Sequence, residues 1–479
     1  MSVMDGAIAA NRFGLGARPG EIETAASDPR GWLLAQLEPS VSSQIARTDL
    51  LTSAEASLVA RDSLGAILRL QQRATGGELE GEQRAYLEAL PDAPEMNGTA
   101  ETIMRDQAMA RQGLRDVLVT EIAARTNHAV ATEHGFRERL VKFWSNHFTV
   151  AAVKQPVIAV AGAFEREAIR PHVTGRFVDM LLAVEQHPAM LQYLDNAQSV
   201  GPRSLAGRLR DVGLNENLAR EILELHTLGV DGGYTQDDVE ELARAISGWT
   251  MVGPRRRRGE PGTFLFDSRM HEPGARTVLG QRYGRDGVEQ GEAILRDLAR
   301  HPSTARHVST KLARHFVADT PPQSAVEALT QTFLDADGDL GALAATLVSL
   351  NAAWDPEPVK FKSHDEFIVS ALRAVGAEDL ETRAIAAAYR SIGQRPFSAP
   401  SPAGWPDEAA DWADPDGLMK RLEWAEQLSR QAPSGRPLAL IESALGPTVS
   451  ARTREAVGRA ESPAQGLTLA LMSPEFQRR

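Results

Sequence analysis

The sequence contains no cysteine. That excludes disulfides, thiolate metal sites, iron–sulfur clusters with cysteine ligands and a cysteine nucleophile. It also leaves the chain indifferent to the redox state of its compartment. Long apolar runs are missing too: no window approaches the ~18 consecutive apolar residues of a membrane span. The first residues, Met1-Ser-Val-Met-Asp-Gly6, carry neither a basic n-region nor an apolar h-region. The expectation is a soluble protein, cytoplasmic for want of a signal, or periplasmic if it travels as an exported passenger. Catalytic signatures are equally scarce. HExxH, ExxH, His-x-His, Gly-x-Ser-x-Gly and the P-loop are all absent, so spacing alone specifies no metal, hydrolase or nucleotide site. A surplus of positive charge is lacking as well. The net charge of −12 repels nucleic acid and anionic lipid, so neither nucleic acid nor membrane insertion is expected.

What is present is helical periodicity. At 479 residues, 42% hydrophobic and 24% charged, the chain suits two to four domains or one large helical assembly. Met104, Ala108, Leu114, Leu118 and Ile122 keep a helical period. Phe136, Leu140, Phe143, Trp144 and His147 fall on one broad face of the next helix, and Pro188 suits the first position of another. Thr263-Phe-Leu-Phe266 is the one convincing extended stretch, with Thr277-Val-Leu279 a second candidate. The predicted fold is mainly α: a large multi-helix assembly with at most a few short strands around 263–280. Three regions are expected, packed as one continuous unit. They are an N-terminal helical region (1–130), a central one with the candidate site (131–300) and a C-terminal one (301–479). Pro91–Thr99 reads as a mobile loop, and Arg255–Arg258, flanked by glycine and proline, as an exposed one. Asp335-Ala-Asp337-Gly-Asp339 begins like a calcium loop. Leu340 stands where that loop needs glycine and Thr346 where it needs glutamate, which rules the reading out.

The densest polar chemistry lies between Asn215 and Trp249. Asn215–Gly229 reads as a helix, with Asn215 as N-cap, Glu216 near the positive end of the dipole and Gly229 at a left-handed stop. Leu218, Ile222 and Leu225 form its apolar stripe. Glu216, Arg220 and Glu224 follow at i, i+4 spacing, which brackets one arginine with two carboxylates, and Glu221 shares a face with Glu224. A capping-box-like start at Thr235 opens a second helix, and the short Val230–Gly233 link makes an αα-hairpin. A surface charge ladder explains the same spacing through stability alone. His147, at the end of an aromatic helix face, and His271, in a loop after the strand, are the histidines suited to acid or base work. The candidate catalytic residues are thus His147, Glu221, Glu224 and His271. The candidate binding residues are Asn215, Glu216, Asn217, Arg220, Tyr234 and Trp249. Carboxylates and imidazoles brought together would also ligate a divalent metal.

Several short pieces stand in a fixed order along the chain. They are Arg12-Phe-Gly, Phe143-Trp-x-x-His-Phe148, Asn215-Glu-Asn-x-Ala-Arg-Glu221 through Leu228-Gly229, Tyr234-Thr and Ser247-Gly-Trp249. Leu279-Gly280, His301-Pro-x-Thr-Ala305, Lys311-Leu and Pro402-Ala-Gly-Trp-Pro406 complete the set. Over nearly the whole chain this set resembles a bacterial domain of unknown function, DUF family 1800. The resemblance implies a bacterial, mainly helical protein with no settled activity. It also implies a partner, because members are described beside a second family. That family resembles alkaline-phosphatase-type or sulfatase-type hydrolases and carries twin-arginine export signals. No catalytic residue comes with the resemblance, and the family's acceptance of aromatic residues at His226 lowers His226 as a candidate.

Two functional classes follow. The first is an enzyme, a hydrolase or a metal-dependent one, with Glu216, Glu221 and Glu224 facing His147 and His271 in a cleft. The second is a non-catalytic helical partner or scaffold acting with a phosphatase- or sulfatase-like neighbour. It would present the proline-rich 396–406 loop, with Trp405 and Trp412, as a binding surface. Convergence of His147 and His271 on Glu221 favours the first.

Overall fold

Apolar residues at helical spacing, with well-placed caps, turn most of the chain into helices. The computed structural model describes residues 2–74, 83, 87, 100–209, 213–253, 259–432 and 436–479. These are mainly α-helical, as predicted. The loops expected at 91–99 and 255–258 lie outside the described residues. Among those residues the strands form two small antiparallel pairs, Trp249–Met251 with Phe264–Phe266 and Arg276–Val278 with Gln281–Tyr283. The second pair turns on Leu279 and Gly280, at φ 51° and 75°, the doubly left-handed geometry of a tight hairpin. Two of the four strands coincide with the predicted extended stretches. Their partners, three residues each, are too short to show an alternating pattern.

Local chemistry sets many helix starts. His187 accepts Ala189 N–H at 3.1 Å ahead of Pro188–Tyr193. Thr235 and Asp238 form a complete capping box on Gln236–Ile246. The acidic run near 337 is structural: Asp339 caps Leu340–Ser349, and Asp337 pairs with Arg176 and Arg300.

Among the described residues, three α-helices widen into a π turn at their C-terminal ends, at Ala9–Phe13, Glu165–Ile169 and Ile222–His226. The i→i+5 bonding of a π turn moves the following residues off the i, i+4 rows. It therefore corrects the predicted Asn215–Gly229 helix, which is α over Asn217–Glu221 and π over Ile222–His226. Asn215 is not the N-cap. Its side chain accepts Asn217 N–H at 2.9 Å in an Asx turn, and Glu216 precedes the helix without a capping bond.

Among the described residues the apolar interior forms two large cores and a small third cluster around Ala7, Ala10, Ala17 and Ile22. One large core is built from the N-terminal and central helices, with Phe136, Phe143, Ile222, Leu242 and Phe316 among its members. The other gathers Phe367, Tyr389, Trp424, Ile441 and Leu471. Leu114 and Leu118, one turn apart on the Ala100–Ala131 helix, belong to different cores, so that helix joins them. Charged side chains collect along the seam.

Candidate active site at the seam of two cores

Two helices face each other across the seam. Gly135–His147 carries Arg139, Phe143 and His147 four residues apart, and Pro302–Phe316 carries His307, Lys311 and His315 at the same spacing. Each set is one row on its helix. The rows run antiparallel: the Phe143 ring lies 5.5 Å from His315, and His147 lies 6.0 Å from His307. Lys311 falls between them. The first turn of His364–Ala374 adds Asp365 and Glu366, and the 394–411 segment adds Phe397, Trp405 and Asp407. Together they enclose a cavity of about 390 Å³, within the range of small-molecule sites.

Asn146 holds the proline-rich segment in place. Its amide donates to Trp405 O (2.9 Å) and accepts Trp405 N–H (2.8 Å). Gly404, at φ 87°, approaches so closely that a Cβ would lie 2.5 Å from Asn146 O, which requires glycine there. Trp412 is buried and donates to Pro406 O at 3.1 Å. Trp412 is thus packed inside, whereas Trp405 is half-buried on the cavity wall and Pro400, Ser401, Ala403 and Pro406 of the same segment stay exposed.

Most charges in the wall are already paired. Arg170, fully buried, bridges Glu138 (2.8 Å) and Glu165 (2.7 Å), and Arg125 reaches Glu165 at 2.7 Å. Lys142 pairs with Asp365 at 2.7 Å, and Glu366 with Arg139 and Arg479. Burial alone would raise the Glu165, Asp365 and Glu366 carboxyls, but these cations hold all three below the ordinary range.

The exceptions are three nitrogens. Asp407 accepts from His315 Nδ1–H at 2.8 Å. Burial would raise the Asp407 carboxyl, yet His315, Lys360 and Arg479 bring it down to about 2, so it stays ionised. That bond fixes the His315 tautomer and leaves Nε2 with its lone pair, buried and unpartnered among the described residues. Burial also holds His315 below its ordinary pKa. Across the seam, His147 Nε2–H donates to His226 O at 3.1 Å, leaving its Nδ1 equally unpartnered. Burial, then Lys311, His307 and His226, keep His147 neutral. The third nitrogen is Lys311 Nζ, which has no hydrogen bond or ion pair among the described residues. Burial and Arg314, opposed by Asp407, lower it to about 8. A carboxylate, an oriented imidazole and an uncommitted amine on one wall can move protons.

Three of the ordered sequence pieces meet here: Phe143–Phe148, Lys311-Leu and Pro402–Pro406. Over residues 8–478 the chain matches the family described as "Protein of unknown function (DUF1800)". The chain belongs to the DUF1800 family. No curated protein and no solved structure matches it.

In this DUF1800 member only His147, of the predicted site residues, lines the cavity. The π turn separates Glu224 from Arg220. Arg220 instead pairs with Glu216 (3.1 Å) and donates to Gln236 (3.0 Å), while Glu224 accepts from Tyr234 Oη–H at 3.3 Å. Burial, eased by His226 and reinforced by Glu224, raises the half-buried Glu221 carboxyl. Asn217 is exposed at the start of the same segment. Trp249 is fully buried against Phe264, with no face free for a ligand. His271 packs elsewhere: its Nδ1–H donates to Ser247 O (3.0 Å) and its Nε2 accepts Gly287 N–H (3.3 Å). The predicted convergence on Glu221 is therefore absent from His271's contacts. His147 meets that segment only at its end, where His147 and His307 cap His226 O and Leu225 O. Among the described residues no group of three or more His, Asp or Glu is placed to hold a metal ion. Sequence reasoning missed Lys311, His315 and Asp407. The His307-x3-Lys311-x3-His315 row was a usable signal. Asp407, 92 residues from His315 in irregular chain, offered none.

Proposed function

We propose that this protein is an enzyme that performs acid–base chemistry, hydrolysis first among the candidates, on a small polar molecule held in the seam cavity. His315 is the general base and Asp407 the carboxylate that orients it. The observation that carries this reading is the 2.8 Å Asp407–His315 bond, which leaves an unpartnered Nε2 on a cavity wall. A neutral imidazole with a free lone pair is the form a general base requires. The paired charges around it are fixed before any ligand arrives, which favours a preorganised site. His147 keeps a place in the site as a second neutral imidazole. Glu221, Glu224 and His271, with Asn215, Glu216, Asn217, Arg220, Tyr234 and Trp249, take structural roles in this reading.

The test is a turnover screen of the full chain on esters, amides and phosphate esters, repeated with His315→Asn, Asp407→Asn and Glu224→Gln. Conversion is expected to fall by about 100-fold or more in the first two variants and to persist in Glu224→Gln. If no compound is turned over in a His315-dependent way and none raises the melting temperature, the reading fails. A non-catalytic partner of a phosphatase- or sulfatase-like protein would then be the better account.

A further inference from the structure

The chain has only six lysines, Lys142, Lys154, Lys311, Lys360, Lys362 and Lys420. Five of them are engaged. Lys142 meets Asp365 at 2.7 Å, Lys154 meets Asp195 at 2.6 Å, Lys360 meets Asp319 at 2.5 Å and Lys420 meets Asp416 at 2.5 Å. Lys362 donates to Ser370 Oγ at 3.1 Å. Lys311 alone has no such partner among the described residues, and it stands on the cavity wall. Its helix row places it one turn from His307 and one turn from His315. Lys311 is half-buried there, on a wall that also holds Phe143 and Trp405.

We propose that Lys311 is the nucleophile of this site and that the molecule it takes is a small carbonyl compound, captured as an imine. The proposal rests on the reading of the seam cavity as an acid–base site. Lys311 Nζ adds to the carbonyl carbon, forming a C–N bond. His315 Nε2 takes a proton from nitrogen and returns it to the former carbonyl oxygen. A second transfer by the same imidazole lets that oxygen leave as water. One C=N bond replaces one C=O bond, the two nitrogen protons depart with the oxygen, and no oxidant or reductant takes part. Burial keeps a useful fraction of the amine neutral near pH 8, the form that can attack.

The experiment traps the imine. The full chain is incubated with pyruvate in one arm and with glycolaldehyde in the other, each with sodium cyanoborohydride, and the adduct is located by peptide mass mapping. A single reduced adduct on Lys311 is expected, formed at least ten times faster than on any of the other five lysines. Lys311→Arg is expected to abolish it, with Lys311→Gln as a second variant and circular dichroism confirming that each folds. Labelling by pyruvate alone assigns a 2-oxo acid, and labelling by glycolaldehyde assigns an aldehyde. Labelling spread evenly over the lysines, or retained in folded Lys311→Arg, overturns the proposal. If His315-dependent turnover of another substrate persists in folded Lys311→Arg, only this inference fails. A Lys311 adduct with no His315-dependent turnover fails the hydrolytic reading instead.

Discussion

The Asn215–Trp249 segment and the seam cavity are both dense in charge, yet they use it in opposite ways. In the first, Glu216, Arg220, Gln236, Glu224 and Tyr234 satisfy one another near solvent. In the second, a largely paired frame surrounds three nitrogens that have no partner among the described residues. Clustering alone therefore says little about chemistry. A charge cluster whose members all have partners is a brace. A paired frame with a few unpaired groups beside a cavity is where a ligand has something to contribute.

That contrast can be broken most forcefully at Arg170. Replacing it with methionine leaves Glu138 and Glu165 buried without their main cation, and about 3–5 kcal/mol of stability should be lost in urea unfolding. A loss under about 1 kcal/mol would mean that the frame is not what holds the seam. The next effect is on pH dependence. Burial depresses His147, and it lowers His307 to about 4. Below about pH 6.5 the unfolded chain binds protons there that the folded chain refuses, so stability falls as pH drops from about 6.5 toward about 4. Comparing urea midpoints near neutrality and near pH 5 reads this, and His307→Gln should flatten the slope.

Asn146→Ala probes the boundary between brace and site. It removes two hydrogen bonds to Trp405 and should cost about 1–3 kcal/mol. It should also weaken any small-molecule stabilisation of the fold, seen as a smaller ligand-induced shift in melting temperature. Smallest of all is Arg220→Ala, whose half-exposed pairs should be worth about 0.5 kcal/mol or less. A larger loss there would erase the distinction drawn between the two regions.

Helices, a few of their starts and the class of fold were legible because each depends on residues three or four apart. Thr235 with Asp238 is one such case, and Pro188 behind His187 is another. Two kinds of information were not. The π turn at Ile222–His226 comes with tertiary capping of its last carbonyls by His147 and His307, and without it the Glu216–Arg220–Glu224 ladder looked complete. The cavity depends on pairs such as His315 with Asp407 and Arg139 with Glu366, 92 and 227 residues apart. No local period encodes such distances. The histidine–lysine–histidine row of Pro302–Phe316 was the one local trace of the site.

Arg479 ties a distant stretch of chain to the site. It donates to His315 O at 2.6 Å and pairs with Glu366, while its own N–H joins Lys360 O at 2.9 Å. The oriented imidazole thus leans on a residue 164 positions further along the chain. The same 476–479 segment also supplies Phe476 to the second apolar core, so it braces the core and the seam together. Clipping residues 476–479 should therefore leave a helical protein with an unfinished cavity.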